Sequence, residues 1–232
     1  MSSQTITVAA PSGGHFSAYL AKPEAGFAPG LVLLQEIFGV NDLMRALADG
    51  YALAGFYVIV PDLFWRQQPG VELDDQQEAD WQRAFALYQG FDEDQGVADA
   101  IAALQALRAL PHCTRVGSVG YCLGGKLAYL MATRSDTHCN VSYYGVGIEN
   151  NLHELAQIKQ PYLAHIAAAD EFVPPEAQTQ LLEAFAPYPI TTAYQYPDVN
   201  HAFARPGGAN FNPEAAGLAN QRTLEFLKQH LA

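Results

Sequence analysis

R-V-G-S-V-G-Y-C-L-G-G-K-L-A-Y-L-M-A-T, residues 115–133, decides how the rest of this chain is read. Residues 116–119 form a short apolar strand. The chain then turns through Gly120, Tyr121, Cys122, Leu123 and Gly124. It continues as a helix whose Leu123, Leu127, Leu130 and Met131 fall at i, i+4, i+7 and i+8, one apolar stripe. The turn, G-x-C-x-G-G, is a nucleophile-elbow pattern with cysteine in the serine's place. Such a turn lifts one side chain above the end of a sheet, and its flanking glycines remove Cβ atoms that would collide with the neighbouring strand and helix. The helix starts just beyond the cysteine, so its free N–H groups and positive end face a developing anion. A free cysteine is commonly a small buried hydrophobe; the glycines and the strand-to-helix switch favour a nucleophile instead.

Outward from the elbow, short buried strands alternate with amphipathic helices. Towards the N-terminus, residues 5–8 and 16–20 flank P-S-G-G-H and read as a β-hairpin. Residues 22–30 are expected as a loop. Residues 31–34 and 57–60 are continuous apolar runs, as in strands covered on both faces. Helices are expected over 42–54, 72–89 and 94–110, the last with Val97, Ile101, Leu104 and Leu107 on one face and Pro111 as its stop. Towards the C-terminus, strands are expected over 141–144, 162–167 and 191–196, with helices from Pro174 and Pro175 to about 185 and over 213–231. This alternation implies an α/β fold, a mostly parallel central sheet with helices on both faces. No repeat or linker divides the chain, so residues 1–232 read as one domain.

Composition narrows the function. The 232 residues are half hydrophobic and only 16% charged, with a net charge of −12. An acidic chain repels phosphate backbones, so no nucleic-acid partner is expected. No run of about 18 apolar residues occurs, so no membrane span is expected, and the start M-S-S-Q-T-I-T-V-A-A lacks a signal-peptide pattern. Three cysteines, Cys113, Cys122 and Cys139, fit neither a disulfide framework nor a zinc site. The expected compartment is the reducing cytoplasm, the expected cofactor and metal content is none, and a monomer is the expected state.

A cysteine nucleophile needs a base, and the base needs a group to orient it. In a parallel sheet these lie beyond the C-terminal ends of strands, in the chain order nucleophile, acid, histidine. Among the seven histidines, His201 alone follows a predicted strand end in a loop, within Y-P-D-V-N-H-A-F; His165 lies inside a strand and reads as a core residue. Asp170, after strand 162–167, is the acid, with Asp198 as a rival only three residues before His201. Glu36 and Ile37 directly follow strand 31–34, where a loop can supply a second oxyanion donor beside the N–H of Leu123.

The segments Q-E-I-F-G-V-N, V-P-D-L-F, V-G-Y-C-L-G-G, Y-Y-G-V-G, D-E-F-V-P and H-A-F-A-R resemble, in order and spacing, the dienelactone hydrolase (carboxymethylenebutenolidase) family. The resemblance implies the α/β-hydrolase fold, a Cys122–His201–Asp170 triad and an oxyanion hole from the N–H groups of Ile37 and Leu123. It also implies that Glu36 pairs with the resting cysteine and helps switch on its thiolate when substrate arrives. The implied reaction is hydrolysis of a small enol-lactone through an acyl-thioester. The resemblance further implies two arginines holding the substrate carboxylate. One matches Arg205, but at the other position this chain has Trp81, with Arg83 about 200° round the helix. A charge-assisted contact of this kind is worth roughly 1.5–3 kcal/mol, about 10- to 150-fold in binding. Ala202 likewise replaces a family serine. Shifted specificity is therefore expected, with Trp81 and Phe38 as an aromatic wall. The alternative is a carboxylesterase or thioesterase using the same triad on a less anionic acyl substrate; the intact catalytic set weighs against a mere binding module.

Overall fold

The structure, a computed structural model, describes residues 1–24 and 26–232. They form two compact units, Met1–Ser118 and Val119–Ala232, whose boundary falls inside a strand. The first unit holds β1 (Ser2–Ala9), β2 (His15–Lys22), β3 (Ala28–Leu34), α1 (Asp42–Leu53), β4 (Tyr57–Pro61), α2 (Glu78–Gln89), α3 (Glu93–Arg108) and the start of β5 (Cys113–Tyr121). The second holds the end of β5, α4 (Leu123–Arg134), β6 (Asn140–Tyr143), a 3-10 segment over Ile148–Gln157, β7 (Tyr162–Ala167), α5 (Pro175–Phe185), β8 (Thr191–Tyr196) and α6 (Pro213–Leu231). The strands form one sheet of order β1-β2-β4-β3-β5-β6-β7-β8. β1 and β2 pair antiparallel, as do β2 and β4, while β3–β4, β6–β7 and β7–β8 are parallel. No helix among the described residues is long and apolar enough to cross a membrane.

The hairpin of the first unit closes through Gly13 and Gly14, both left-handed, at φ 91° and 83°. Leu31 to Leu34 and Val58 to Val60 are wholly buried, as their unbroken apolar runs require. Three helices, α1, α3 and α6, start where side chains cap them. Asn41 accepts from the Met44 N–H at 3.1 Å, Asp92 from Gln95 at 3.0 Å, and Asn212 from Ala215 at 3.0 Å.

Two expectations shift. Residues 28–30 belong to β3 rather than to a loop. Gly30 is there because a Cβ would lie 2.7 Å from Cys113 Sγ, a packing demand that local sequence does not reveal. The helix expected from residue 72 begins at Glu78. Val71 to Leu73 are held instead by the loop after β3: Val40 N–H donates to the Val71 carbonyl at 3.1 Å and Leu73 N–H to that of Phe38 at 2.9 Å. Gly39 permits this approach, because a Cβ there would overlap the Val71 carbonyl. The 3-10 segment was not anticipated; its mostly polar residues carry too little apolar periodicity.

The loop after β4 is ordered by two buried acids. Asp62 accepts from the N–H groups of Phe64 and Gly70 at 3.1 and 2.8 Å, and burial raises its carboxyl pKa. Asp99, on α3, accepts from Trp65 Nε1 at 2.8 Å and is ion-paired with Arg66, which also donates to Ser12 Oγ at 2.6 Å.

Candidate active site

β5 ends in the expected elbow. Cys122 has φ 55° and ψ −116°, a conformation costly for a residue with a Cβ. The surroundings enforce it. Cys122 N–H donates to the Tyr143 carbonyl at 3.0 Å, and the Cys122 carbonyl accepts from Lys126 N–H at 3.2 Å, opening α4. A Cβ on Gly120 would fall inside the Gly124 peptide, and one on Gly125 would lie 2.6 Å from the Tyr143 carbonyl oxygen. The turn therefore needs glycine on both sides of the cysteine. From Leu123 to Ala132 every residue of α4 is buried, so the helix is enclosed all round rather than along one stripe.

His201 lies beyond β8 and Asp170 beyond β7, at the C-terminal ends of adjacent parallel strands. His201 Nδ1 is 2.9 Å from Asp170 Oδ2 and 3.1 Å from Oδ1. Burial lowers the basicity of His201, but its interactions with Cys122 and Asp170 outweigh that and push the imidazole up to about 10. Asp198, the rival acid, is exposed on a tight turn at φ 58°. His165 is a core residue as expected: Nδ1 meets Tyr196 Oη at 2.8 Å, Nε2 meets Thr223 Oγ1 at 2.9 Å, and burial holds it down to about 3.

Three residues that frame His201 escaped the sequence reading. Asn200 Oδ1 accepts from the N–H of His201 at 2.6 Å and of Glu171 at 3.0 Å, while its Nδ2 donates to Glu171 Oε1 at 3.1 Å. It staples the acid loop to the histidine loop. Tyr144 and Phe172 present edge-on contacts to the imidazole at 5.0 and 4.9 Å. Their signal was in the quoted Y-Y-G-V-G and D-E-F-V-P segments, but a ring beside a histidine is a tertiary fact.

Arg205, in the same unit, is buried. Its N–H donates to the Ala202 carbonyl at 2.9 Å. Leu123 is the first residue of α4, where helical N–H groups lack an intrahelical acceptor. In the first unit, Glu36, Ile37 and Phe38 are all buried in the loop after β3. Phe38 packs edge-on against Trp81 at 4.9 Å, Trp81 lies 5.6 Å from Phe85, and Trp81 Nε1 donates to the Asp75 carbonyl at 2.8 Å. The two residues expected to form an aromatic wall are thus in contact with each other. Arg83 is exposed.

The Dienelactone hydrolase family matches residues 16–231. A protein of Azospirillum brasilense is 50% identical, over 97% of this chain and 98% of its own. Carboxymethylenebutenolidase 1 of Cupriavidus pinatubonensis is 41% identical, over 98% of this chain and 97% of its own. Among solved structures, a Klebsiella pneumoniae protein superposes with a TM-score of 0.83 at 25% identity, covering 99% of this chain and 100% of its own. The dienelactone hydrolase of Anabaena variabilis, 17% identical, superposes at 0.73 over 100% of this chain and 99% of its own. With the sheet order, the elbow and this full-length similarity together, the chain belongs to the dienelactone hydrolase family of α/β-hydrolase enzymes.

Proposed function

We propose that this enzyme is a carboxymethylenebutenolidase that opens a small enol-lactone through Cys122, His201 and Asp170. The observation that carries the reading is the strained elbow at Cys122 in one unit with a buried His201–Asp170 pair beyond the ends of adjacent strands. The Cys122 thiolate attacks the lactone carbonyl, and the N–H groups of Ile37 and Leu123 receive the oxyanion. Collapse expels the ring oxygen as an enolate, which takes up the proton that the His201 imidazolium holds from the thiol, and leaves a thioester on Cys122. His201 then takes a proton from water as that water attacks the thioester, releasing the acid and returning the thiol. Asp170 fixes the imidazole orientation and favours its protonated form.

Glu36 is proposed to restrain the resting Cys122, so that Glu36→Gln accelerates alkylation of Cys122 in the absence of substrate. Arg205 is proposed to hold the substrate carboxylate, with Phe38 and Trp81 facing its apolar part. A monomer in a reducing compartment fits the three free cysteines; gel filtration tests the monomer.

The Trp81–Phe38 contact favours one second reading, a carboxylesterase or thioesterase acting on a less anionic acyl group. Turnover of cis- and trans-dienelactone beside p-nitrophenyl acetate, with Cys122→Ala as control, separates the two. Lactone turnover lost in Cys122→Ala is expected. Ester turnover that survives Cys122→Ala would sink the triad. Robust ester turnover without lactone turnover would leave the second reading. Trp81→Arg is expected to lower KM for dienelactone by about 10-fold or more and to leave KM for the neutral ester unchanged.

A further inference from the structure

β7, β8 and α6 enclose a cleft of about 440 Å³ that the proposed chemistry does not use. Pro161, Leu163 and Ile190 line it at the N-terminal ends of β7 and β8, whereas Asp170 and His201 follow the C-terminal ends of the same strands. Its volume is that of a small-molecule site, and Phe226 of α6 adds to the apolar lining.

The guanidinium in this cleft is that of Arg222; Thr192, Glu225, Gln229 and His230 are further polar side chains of the lining. The guanidinium lies 3.8 Å over the ring of Tyr194, and Nη1 donates to Tyr196 Oη at 3.2 Å. Among the described residues no carboxylate pairs with it; Glu225, its near neighbour on α6, is engaged by Gln221 at 2.9 Å. In a chain of net charge −12, an arginine held over an aromatic ring, with most of its five N–H donors unspent, is a preformed fork for a carboxylate.

We propose that this cleft is a second binding site, taking a planar apolar carboxylate whose anionic end pairs with Arg222. The site also has a route to the triad. Tyr196 Oη, the acceptor of Arg222, meets His165 Nδ1 at 2.8 Å; His165 Nε2 meets Thr223 Oγ1 at 2.9 Å; Thr223 Oγ1 meets Tyr143 Oη at 2.6 Å. The Tyr143 carbonyl holds the Cys122 N–H. A ligand that draws Arg222 away from Tyr196 alters the far end of this buried chain, so occupancy changes the reactivity of Cys122.

Benzoate is the probe and benzamide its neutral control. Calorimetric titration is run on the wild-type protein, Arg222→Gln, Tyr194→Leu and Arg205→Gln. Benzoate binding is expected in the wild type and in Arg205→Gln, at least 10-fold weaker in Arg222→Gln and weaker in Tyr194→Leu, with benzamide weak throughout. Binding retained in Arg222→Gln, or lost only in Arg205→Gln, overturns the site. Saturating benzoate is expected to change the rate at which iodoacetamide alkylates Cys122, followed on the Cys122 peptide by mass spectrometry, in Arg205→Gln but not in Arg222→Gln. An unchanged rate in Arg205→Gln overturns the link to Cys122. Neither measurement depends on which lactone or ester the enzyme hydrolyses.

Discussion

At the scale of single residues, the histidine carries the most informative electrostatics. Its folded pKa lies above the ordinary 6.5, at about 10. The stabilisation from its protonated form is therefore fully present below about pH 6.5 and is lost as pH rises through about 10. Asp170→Asn removes a partner of the imidazolium. The difference in unfolding free energy between wild type and Asp170→Asn is expected to shrink between pH 6.5 and 10, as read by urea denaturation. The same variant is expected to lower kcat by at least about 100-fold, with KM little changed, in steady-state assays at neutral pH. The elbow at Cys122 and the His201–Asp170 pair were legible in the sequence because each of these residues ends a strand or a turn with its own local signature. Asn200, Tyr144 and Phe172 were not. Their work is to hold one loop against another, or a ring against the imidazole, and neither relation has a spacing along the chain.

Secondary-structure elements show the same division between local and long-range causes. The elbow, the hairpin and the capped helices follow from glycine placement and capping side chains, so they were readable. The start of β3 and the start of α2 were not, because Gly30 answers to Cys113 and residues 71–73 answer to the loop after β3. Glycine substitutions make the distinction measurable. Gly120→Ala is expected to destabilise the protein by about 3 kcal/mol or more, since its Cβ has no space beside the Gly124 peptide. Gly50, inside α1, has nothing within 4 Å of its would-be Cβ. Gly50→Ala is expected to raise stability by up to about 1 kcal/mol through helix propensity alone. Chemical denaturation of both variants checks the pair.

Across the whole molecule, the boundary between the two compact units lies between Ser118 and Val119, within β5 rather than in a linker. We propose that residues 1–232 unfold as one cooperative domain, with far-UV dichroism and tryptophan fluorescence giving coincident transitions. His165 contributes to how that transition responds to acid. Its folded pKa is depressed to about 3, so its contribution is present above about pH 6.5 and is lost as pH falls towards 3, with a slope of up to about 1.4 kcal/mol per pH unit. Wild-type protein is expected to lose more stability than His165→Gln between pH 7 and 4, by urea titration at each pH.

The non-glycine residues with left-handed backbone among those described, Cys122, Tyr144, Asp198 and Ala202, all belong to the second unit, and each is in or beside the elbow or the histidine loop. Positions of this kind cost of order 1–3 kcal/mol apiece. A search for heat-resistant variants would therefore be drawn to the elbow and the histidine loop, where glycine relieves the backbone, and the proposed chemistry puts the trade-off between durability and turnover there. Asp198 is the informative case, being exposed and three residues from His201. Asp198→Gly is expected to gain about 1 kcal/mol in calorimetry while kcat falls, because the turn that aims the imidazole becomes free to point elsewhere.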